Sequence, residues 1–199
     1  MIATLAEKGF RSLKEKQNLI LIGMPGAGKS TVGVLLAKQR GTAFLDTDIL
    51  IQTGKGYYLR ELISRHGISG FRKIEETYLL GVPADCGVVA TGGSAVYSEK
   101  AMAHLKSLGP VVYLQIELEP LKARLGNLSE RGVLRMPGQT IDMLYAERRP
   151  LYEKYADIVV STAGMTPDQV VALVLRGIRG TYSGQNPLDT IDPFIYSLA

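Results

Sequence analysis

The sequence predicts an α/β fold of three layers, a central five-stranded parallel sheet flanked by helices, and three observations carry that prediction. Short apolar runs alternate along the chain with longer stretches of helical periodicity. The runs are rich in Val, Ile, Leu and Tyr and lack polar alternation, as strands covered on both faces do. At 199 residues, with 46% apolar and 21% charged side chains, the chain has the size and composition of one globular unit, at ~150 residues per domain. No repeat, low-complexity tract or linker divides it, so residues 1–199 read as a single domain with its core over about 18–180. Disorder along the whole length, a collagen-like fibre and a disulfide scaffold are excluded. Cys86 is the only cysteine, which leaves no intrachain disulfide and no cysteine-based zinc cage.

Taken in order, the elements begin with a short leading helix, where Ser12 and Glu15 have capping-box spacing. The first strand is Asn18 to Gly23, followed by a helix from Lys29 to Gln39 and a strand from Thr42 to Asp46. A long helix from Tyr58 to Leu80 precedes a strand from Cys86 to Thr91, then a helix from Glu99 to Leu108 and a strand from Val111 to Ile116. Thr140 to Tyr155 reads as helix and Asp157 to Val160 as the fifth strand. Thr166-Pro167-Asp168-Gln169 opens a last helix, with a capping Thr, Pro at the first helical position and Gln at the third. After Arg179 the run GTYSGQNPLDTIDPFIYSLA holds too many turn residues for helix. Residues 181–199 are therefore expected to be an irregular tail, which its Phe194, Ile195 and Tyr196 mark for docking on some surface. The Tyr57-Tyr58 pair is expected as core or pocket wall.

Charge leaves two classes of partner open. There are 23 basic against 19 acidic residues, a net +4 with a pI near 9.1, which suits either nucleic acid or an anionic small molecule. The N-terminal residues have no continuous apolar core like a secretory signal's, and no run approaches eighteen apolar residues. The expectation is a cytoplasmic monomer with no membrane partner.

The strand NLILIG runs directly into Gly23-Met24-Pro25-Gly26-Ala27-Gly28-Lys29-Ser30-Thr31. This is a glycine, four residues, then Gly-Lys-Ser, placed after a strand and before a helix as a phosphate-binding loop must be. Its glycines let the backbone curl so that N–H groups point inward at phosphate oxygens, and the helix adds its positive end. Gly23, Pro25, Gly26, Ala27, Gly28, Lys29, Ser30 and Thr31 are thus candidates for binding ATP. Lys29 can reach the β- and γ-phosphates, and the Ser30 hydroxyl is placed to ligate magnesium. A glycine-rich turn with an exposed lysine is the plain alternative, against which strand, spacing and helix all speak.

The second strand ends in Asp46-Thr47-Asp48. Strand ends form the ligand crevice of a doubly wound sheet, so both carboxylates should face the phosphate site. Asp46 would steady magnesium and Asp48 would accept a proton from an attacking hydroxyl. The competing reading is that one of them caps the following turn. Neither a guanine-reading Asn-Lys-x-Asp or Thr-Lys-x-Asp nor a transport-type Leu-Ser-Gly-Gly occurs, and the chain lacks length for a helicase. A small kinase with the P-loop kinase fold remains.

The chain resembles the shikimate kinase family from about Leu19 to Val160. The resemblance lies in GMPGAGKST, the DTD of Asp46 to Asp48, Phe71-Arg72-Lys73-Ile74-Glu75, Ala90-Thr91-Gly92-Gly93 and Arg148-Arg149-Pro150-Leu151-Tyr152. It implies that Asp48 contacts the hydroxyl to be phosphorylated, and that Arg72 and Arg148 hold the substrate carboxylate, with Gly92 and Gly93 beside it. A planar, permanently charged guanidinium suits that task. The plain alternatives are a helical ion pair of Arg72 with Glu75 or Glu76, a solvated helix face for Arg148 with Glu147, and a tight turn at the two glycines. The polar stretch from Arg124 to Thr140 looks like the family's mobile lid, which excludes water from the γ-phosphoryl group. By the same resemblance Arg131 meets the transferring phosphate and Arg124 flanks adenine. Arg135 is a neighbour of Arg131 that could take its place, and an ordinary charged loop is the alternative for Arg124 and Arg135. The chain departs from the family at Ser94, where a third glycine is usual, and at Gly132, where the lid usually has proline.

Three functions follow for comparison. The first is an ATP-dependent kinase of shikimate using magnesium, with Lys29, Asp48 and Arg131 catalytic. The second keeps the chemistry and changes the acceptor to gluconate or another polyol, which Ser94 and Gly132 motivate. The third is a nucleotide-dependent regulatory or nucleic-acid-binding module. No basic helix with interleaved aromatics supports it, and Leu121 to Lys154 alone holds seven basic against four acidic residues. The charge excess is thus expected at the lid and the helix after it, drawn to ATP and an acidic substrate rather than to nucleic acid.

Overall fold

Residues 17–125, 133–136 and 138–183 are described by a computed structural model of the chain. The leading helix at residues 12–15, Arg131, Gly132 and the tail beyond Ser183 fall outside them. Five strands, β1 (Leu19–Ile22), β2 (Phe44–Asp46), β3 (Val88–Ala90), β4 (Val111–Gln115) and β5 (Ile158–Ser161), form one sheet in the order β2-β3-β1-β4-β5. All its pairings are parallel. The apolar runs LILI and VVYLQ put β1 and β4 in the interior, where only Gln115 escapes full burial, while β5 at the edge alternates buried and exposed side chains.

Asp46 of β2 and Leu21 of β1 both pair with Ala90 of β3, so three strands end at one level. The chain fills one side of β1 with β2 and β3, then crosses to the other with β4 and β5. The carboxyl end of β1 is therefore a switch in strand order, where open α/β sheets form their ligand crevice.

Among the described residues seven helices cover the sheet: α1 (Lys29–Arg40), α2 (Thr47–Lys55), α3 (Leu59–Leu80), α4 (Glu99–Leu108), α5 (Leu118–Leu125), α6 (Ile141–Tyr155) and α7 (Pro167–Ser183). Their ends follow the sequence. Gly41 closes α1 with φ 60° and an N–H to the carbonyls of Ala37 and Lys38. Ser98 and Thr140 accept from Ala101 and Met143 at the starts of α4 and α6. Thr166 and Gln169 exchange side-chain-to-backbone bonds of 2.9 and 3.4 Å, the reciprocal cap expected of α7.

Four features differ from the sequence reading. Helix α2 was not expected; it is short and carries Gly54, and Asp46 nucleates it by accepting from the N–H groups of Asp48 and Ile49. Helix α5 was not expected either, and its Pro120 sits in the first turn, where the missing N–H costs nothing. The long helix α3 is broken at Gly67 (φ 64°, ψ −178°). Helix α7 runs past Arg179 to Ser183, further than the turn-rich composition predicts.

Most buried apolar side chains form one core around β1, β3 and β4. A second, smaller cluster joins Ile51 of α2, Leu62 and Phe71 of α3 and Leu134. Among the described residues no helix is long and apolar enough to cross a membrane.

Candidate active site

The loop between β1 and α1 takes its shape from its glycines. Gly23 has φ 144°, and a Cβ there would lie 2.7 Å from the Leu114 carbonyl oxygen of β4, so only glycine fits. Gly28 caps α1 in the left-handed region at φ 95°. This turn folds Lys29 inward, where its ammonium is buried and donates to the carbonyls of Gly23 and Met24 at 2.8 and 2.9 Å. Burial pushes the Lys29 amine down to about 8, against the pull of Asp48 and Asp46. Ser30, one residue on, donates its hydroxyl to Asp46 Oδ2 at 2.7 Å.

The capping alternative for Asp46 is observed, and its second oxygen accepts from Ser30. Its Oδ1 caps α2 and its Oδ2 faces the phosphate loop. Two hard oxygen donors in contact are the pair that a nucleotide-borne magnesium ion requires from protein. No cluster of three or more His, Cys, Asp or Glu that could hold a metal by itself occurs among the described residues.

A cleft of about 380 Å³ opens over this loop, lined by Pro25, Gly28, Lys29, Ser30 and Thr31 of the loop and, from elsewhere in the chain, by Asp48, Gly92, Gly93, Ser94 and Arg148. Leu59, Phe71, Val133 and Leu134 close its apolar wall. Asp48 sits on the first turn of α2 and is pushed up to about 6, by burial first and by Asp46 second, with Lys29 opposing. Gly92 leaves β3 with its N–H donated to the buried Thr47 hydroxyl at 3.1 Å. A Cβ on Gly92 would lie 2.5 Å from Glu75 Oε1 and 2.7 Å from Asp48 Oδ1, and one on Gly93 2.7 Å from Pro25 and 3.1 Å from Arg148 Nη1. The glycine pair is therefore a close-approach site between two carboxylates and an arginine, not a plain turn.

Arg148 is almost fully buried, so the solvated-face reading of it fails. Its Nε donates to the Tyr97 hydroxyl at 3.2 Å and its Nη2 to the Leu134 carbonyl at 2.5 Å. Arg72 makes neither helical ion pair expected of it. Its guanidinium carbon lies 3.9 Å from the centre of the Tyr97 ring, and it lines a recess of about 110 Å³ beside the cleft with Glu75, Ser94 and Tyr97. Glu75 is buried to 2% exposure and pushed up to about 7 by that burial, against a hydrogen bond from Ser94. Ser94 shares the recess with this carboxylate.

A second cavity of about 360 Å³ lies across the phosphate loop, sharing Gly26, Gly28 and Thr31 with the first and reaching Arg124, Thr162, Met165 and Val170. Arg124 lines this second cavity, whose wall is mostly apolar. Arg135 donates to the Gln139 carbonyl at 2.8 Å instead of facing the phosphates. Arg131 and Gly132 lie outside the described residues. Tyr57 and Tyr58 are exposed, under Arg65 and Arg60 respectively, and form neither core nor pocket wall.

Sequence reasoning missed Tyr97, Thr47 and Leu134. Tyr97 carries no local signal, since it lies 25 residues from Arg72 and 51 from Arg148. Leu134 could have been found as the apolar break in a polar stretch.

Comparison with known proteins shows the family. The profile of the family described as "Shikimate kinase" matches residues 25–179. A shikimate kinase of Thermodesulfovibrio yellowstonii is 37% identical over 172 residues, 85% of this chain and 99% of the relative. The solved structure of a shikimate kinase from Acinetobacter baumannii in complex with shikimate superposes with a TM-score of 0.78 at 30% identity, covering 86% of this chain and 97% of that one. A gluconokinase structure from Sinorhizobium meliloti, at a TM-score of 0.54 and 17% identity over 84% of this chain and 94% of its own, shares the fold alone.

Proposed function

The chain belongs to the shikimate kinase family, and from that premise we propose that it transfers the γ-phosphoryl group of ATP to a ring hydroxyl of shikimate, giving shikimate 3-phosphate and ADP. One observation carries the assignment of roles: one cleft is lined both by Lys29 and Ser30 of the phosphate loop and by Asp48 and Arg148. The likeness to a kinase crystallised with shikimate supports the acceptor, and nothing comparable supports a polyol.

The phosphate loop's N–H groups and Lys29 hold the triphosphate, and the slot at Arg124 takes the base. Arg148 and Arg72 bind the acceptor's carboxylate, which turns the opposite side of its ring toward Asp48. Asp48 takes the hydroxyl proton as the acceptor oxygen bonds to the γ-phosphorus and the bond to the β-phosphate oxygen breaks. Its raised proton affinity, near 6, leaves it ionised at neutral pH yet basic enough to receive that proton. Ser30 and Asp46 would hold the magnesium ion carried by ATP, which would supply positive charge against the phosphates. Lys29 and Arg131 stabilise the charge that develops on the transferring group. Cytoplasmic location and a monomeric state complete the reading.

Coupled measurement of ADP release with purified protein tests the acceptor. Shikimate should drive turnover well above the blank without acceptor, and gluconate should not. No rate with shikimate, or a higher one with gluconate, overturns the assignment.

A further inference from the structure

We propose that Tyr97 is a positioning residue for the acceptor's carboxylate, its ring holding Arg72 and Arg148 as one binding unit and its hydroxyl fixing the second of them. This rests on the reading that the two arginines take the carboxylate of shikimate.

The arginines come from different elements, Arg72 from α3 and Arg148 from α6. Between them stands the single 3₁₀ turn Ala95–Tyr97, which follows directly on Gly92 and Gly93. The guanidinium carbons of Arg72 and Arg148 lie 3.9 and 5.2 Å from the centre of the Tyr97 ring. Two cations sharing one site repel each other, and the negative face of an aromatic ring offsets that repulsion while leaving the N–H edges open. A planar edge is what a carboxylate needs for paired hydrogen bonds.

The hydroxyl does a second task. It accepts from Arg148 Nε at 3.2 Å and donates to Glu147 Oε1 at 2.6 Å, while Glu147 Oε2 accepts from Gln139 at 2.5 Å. With Nη2 on the Leu134 carbonyl, Arg148 presents Nη1, beside Gly93, to the cleft. On Arg72 the buried Nε has no hydrogen-bond partner, so the ring is what fixes that guanidinium. Tyr97 thereby ties the carboxylate end of the cleft to α6 and to the chain at Leu134 and Gln139.

The test compares Tyr97→Leu, which removes ring and hydroxyl, with Tyr97→Phe, which keeps the ring. Kinetics with shikimate and ATP are measured beside calorimetric titration of shikimate alone and of ADP alone, and thermal melts. Tyr97→Leu should raise the KM and Kd for shikimate about tenfold or more, with Tyr97→Phe in between, at about threefold, and nucleotide affinity within about twofold of wild type. Arg72→Lys should cost less in the Tyr97→Leu background than alone, as coupled partners do. Tyr97→Leu that binds shikimate like wild type overturns the proposal, as does an equal loss of shikimate and nucleotide affinity with a lowered Tm. Wild type that neither binds nor phosphorylates shikimate overturns the acceptor reading itself, and this proposal with it; an active wild type with an indifferent Tyr97 overturns this one alone.

Discussion

The two ends of the cleft are built in opposite ways. The nucleotide end is one continuous segment, Gly23 to Thr31, seated on the main core between β1 and α1. The acceptor end gathers Asp48, Arg72, Glu75, Gly92, Tyr97 and Arg148 from α2, α3, the chain after β3 and α6. Beneath its wall lies a cluster of only four fully buried side chains, Ile51, Leu62, Phe71 and Leu134, each contributing roughly 1.5–3 kcal/mol. A local loop on a large core is rigid by construction. A site assembled across the fold depends on every element that supplies it, and so it can change its acceptor while the phosphate chemistry stays.

The sharpest break between the two ends is Asp48→Ala. Removing the proton acceptor should lower kcat by about 10²–10⁴-fold, with ADP affinity close to wild type by calorimetry. A comparable loss of ADP affinity would mean that Asp48 belongs to the nucleotide end.

Next comes a crossed pair of glycine substitutions. In Gly28→Ala a non-glycine residue is held at φ 95° with open space around it, a strain of roughly 1–2 kcal/mol. The KM for ATP should rise about tenfold and that for shikimate little. Gly92→Ala drives a methyl between Glu75 and Asp48, so the shikimate KM should rise and kcat fall, with ATP binding nearly unchanged. If both variants alter both substrates equally, the ends are not separable.

The smallest effect is with pH. Asp48 is raised to about 6 and must be ionised, so kcat/KM should climb as pH rises through that value. Lys29 is lowered to about 8 and must be protonated, so kcat/KM should fall above it. Glu75, near 7 and across Gly92 from Asp48, couples to the acid limb. Glu75→Gln removes a charge that raises Lys29 as well, so it should move the acid limb and also shift the basic limb to lower pH. A profile flat from pH 5 to 9 would remove both assignments.

The basic excess illustrates how far sequence reading reaches. Its placement over 121–154 is a matter of counting, but the structure divides those charges by role. Lys122, Arg149 and Lys154 pair at the surface with Glu119 and Asp142, with Glu153, and with Glu99, contacts of little energetic weight. Arg148 alone of the four goes inward to the cleft. Neighbouring Arg148 and Arg149 look alike in the sequence; only the rotation of α6 separates ligand from surface.

The sequence by itself determined the parallel sheet, the phosphate loop, and Asp46 at a strand end, because each rests on contiguous residues with short-range geometry: hydrophobic period, glycine spacing, one turn of backbone. Tertiary structure alone decided that Gly92 lies between two carboxylates, that Arg72 leaves its helical neighbours for the ring of Tyr97, and that the Leu134 carbonyl meets Arg148. These are contacts across 14 to 44 residues, fixed by how helices pack on the sheet, and no local pattern records which face a packed helix turns inward.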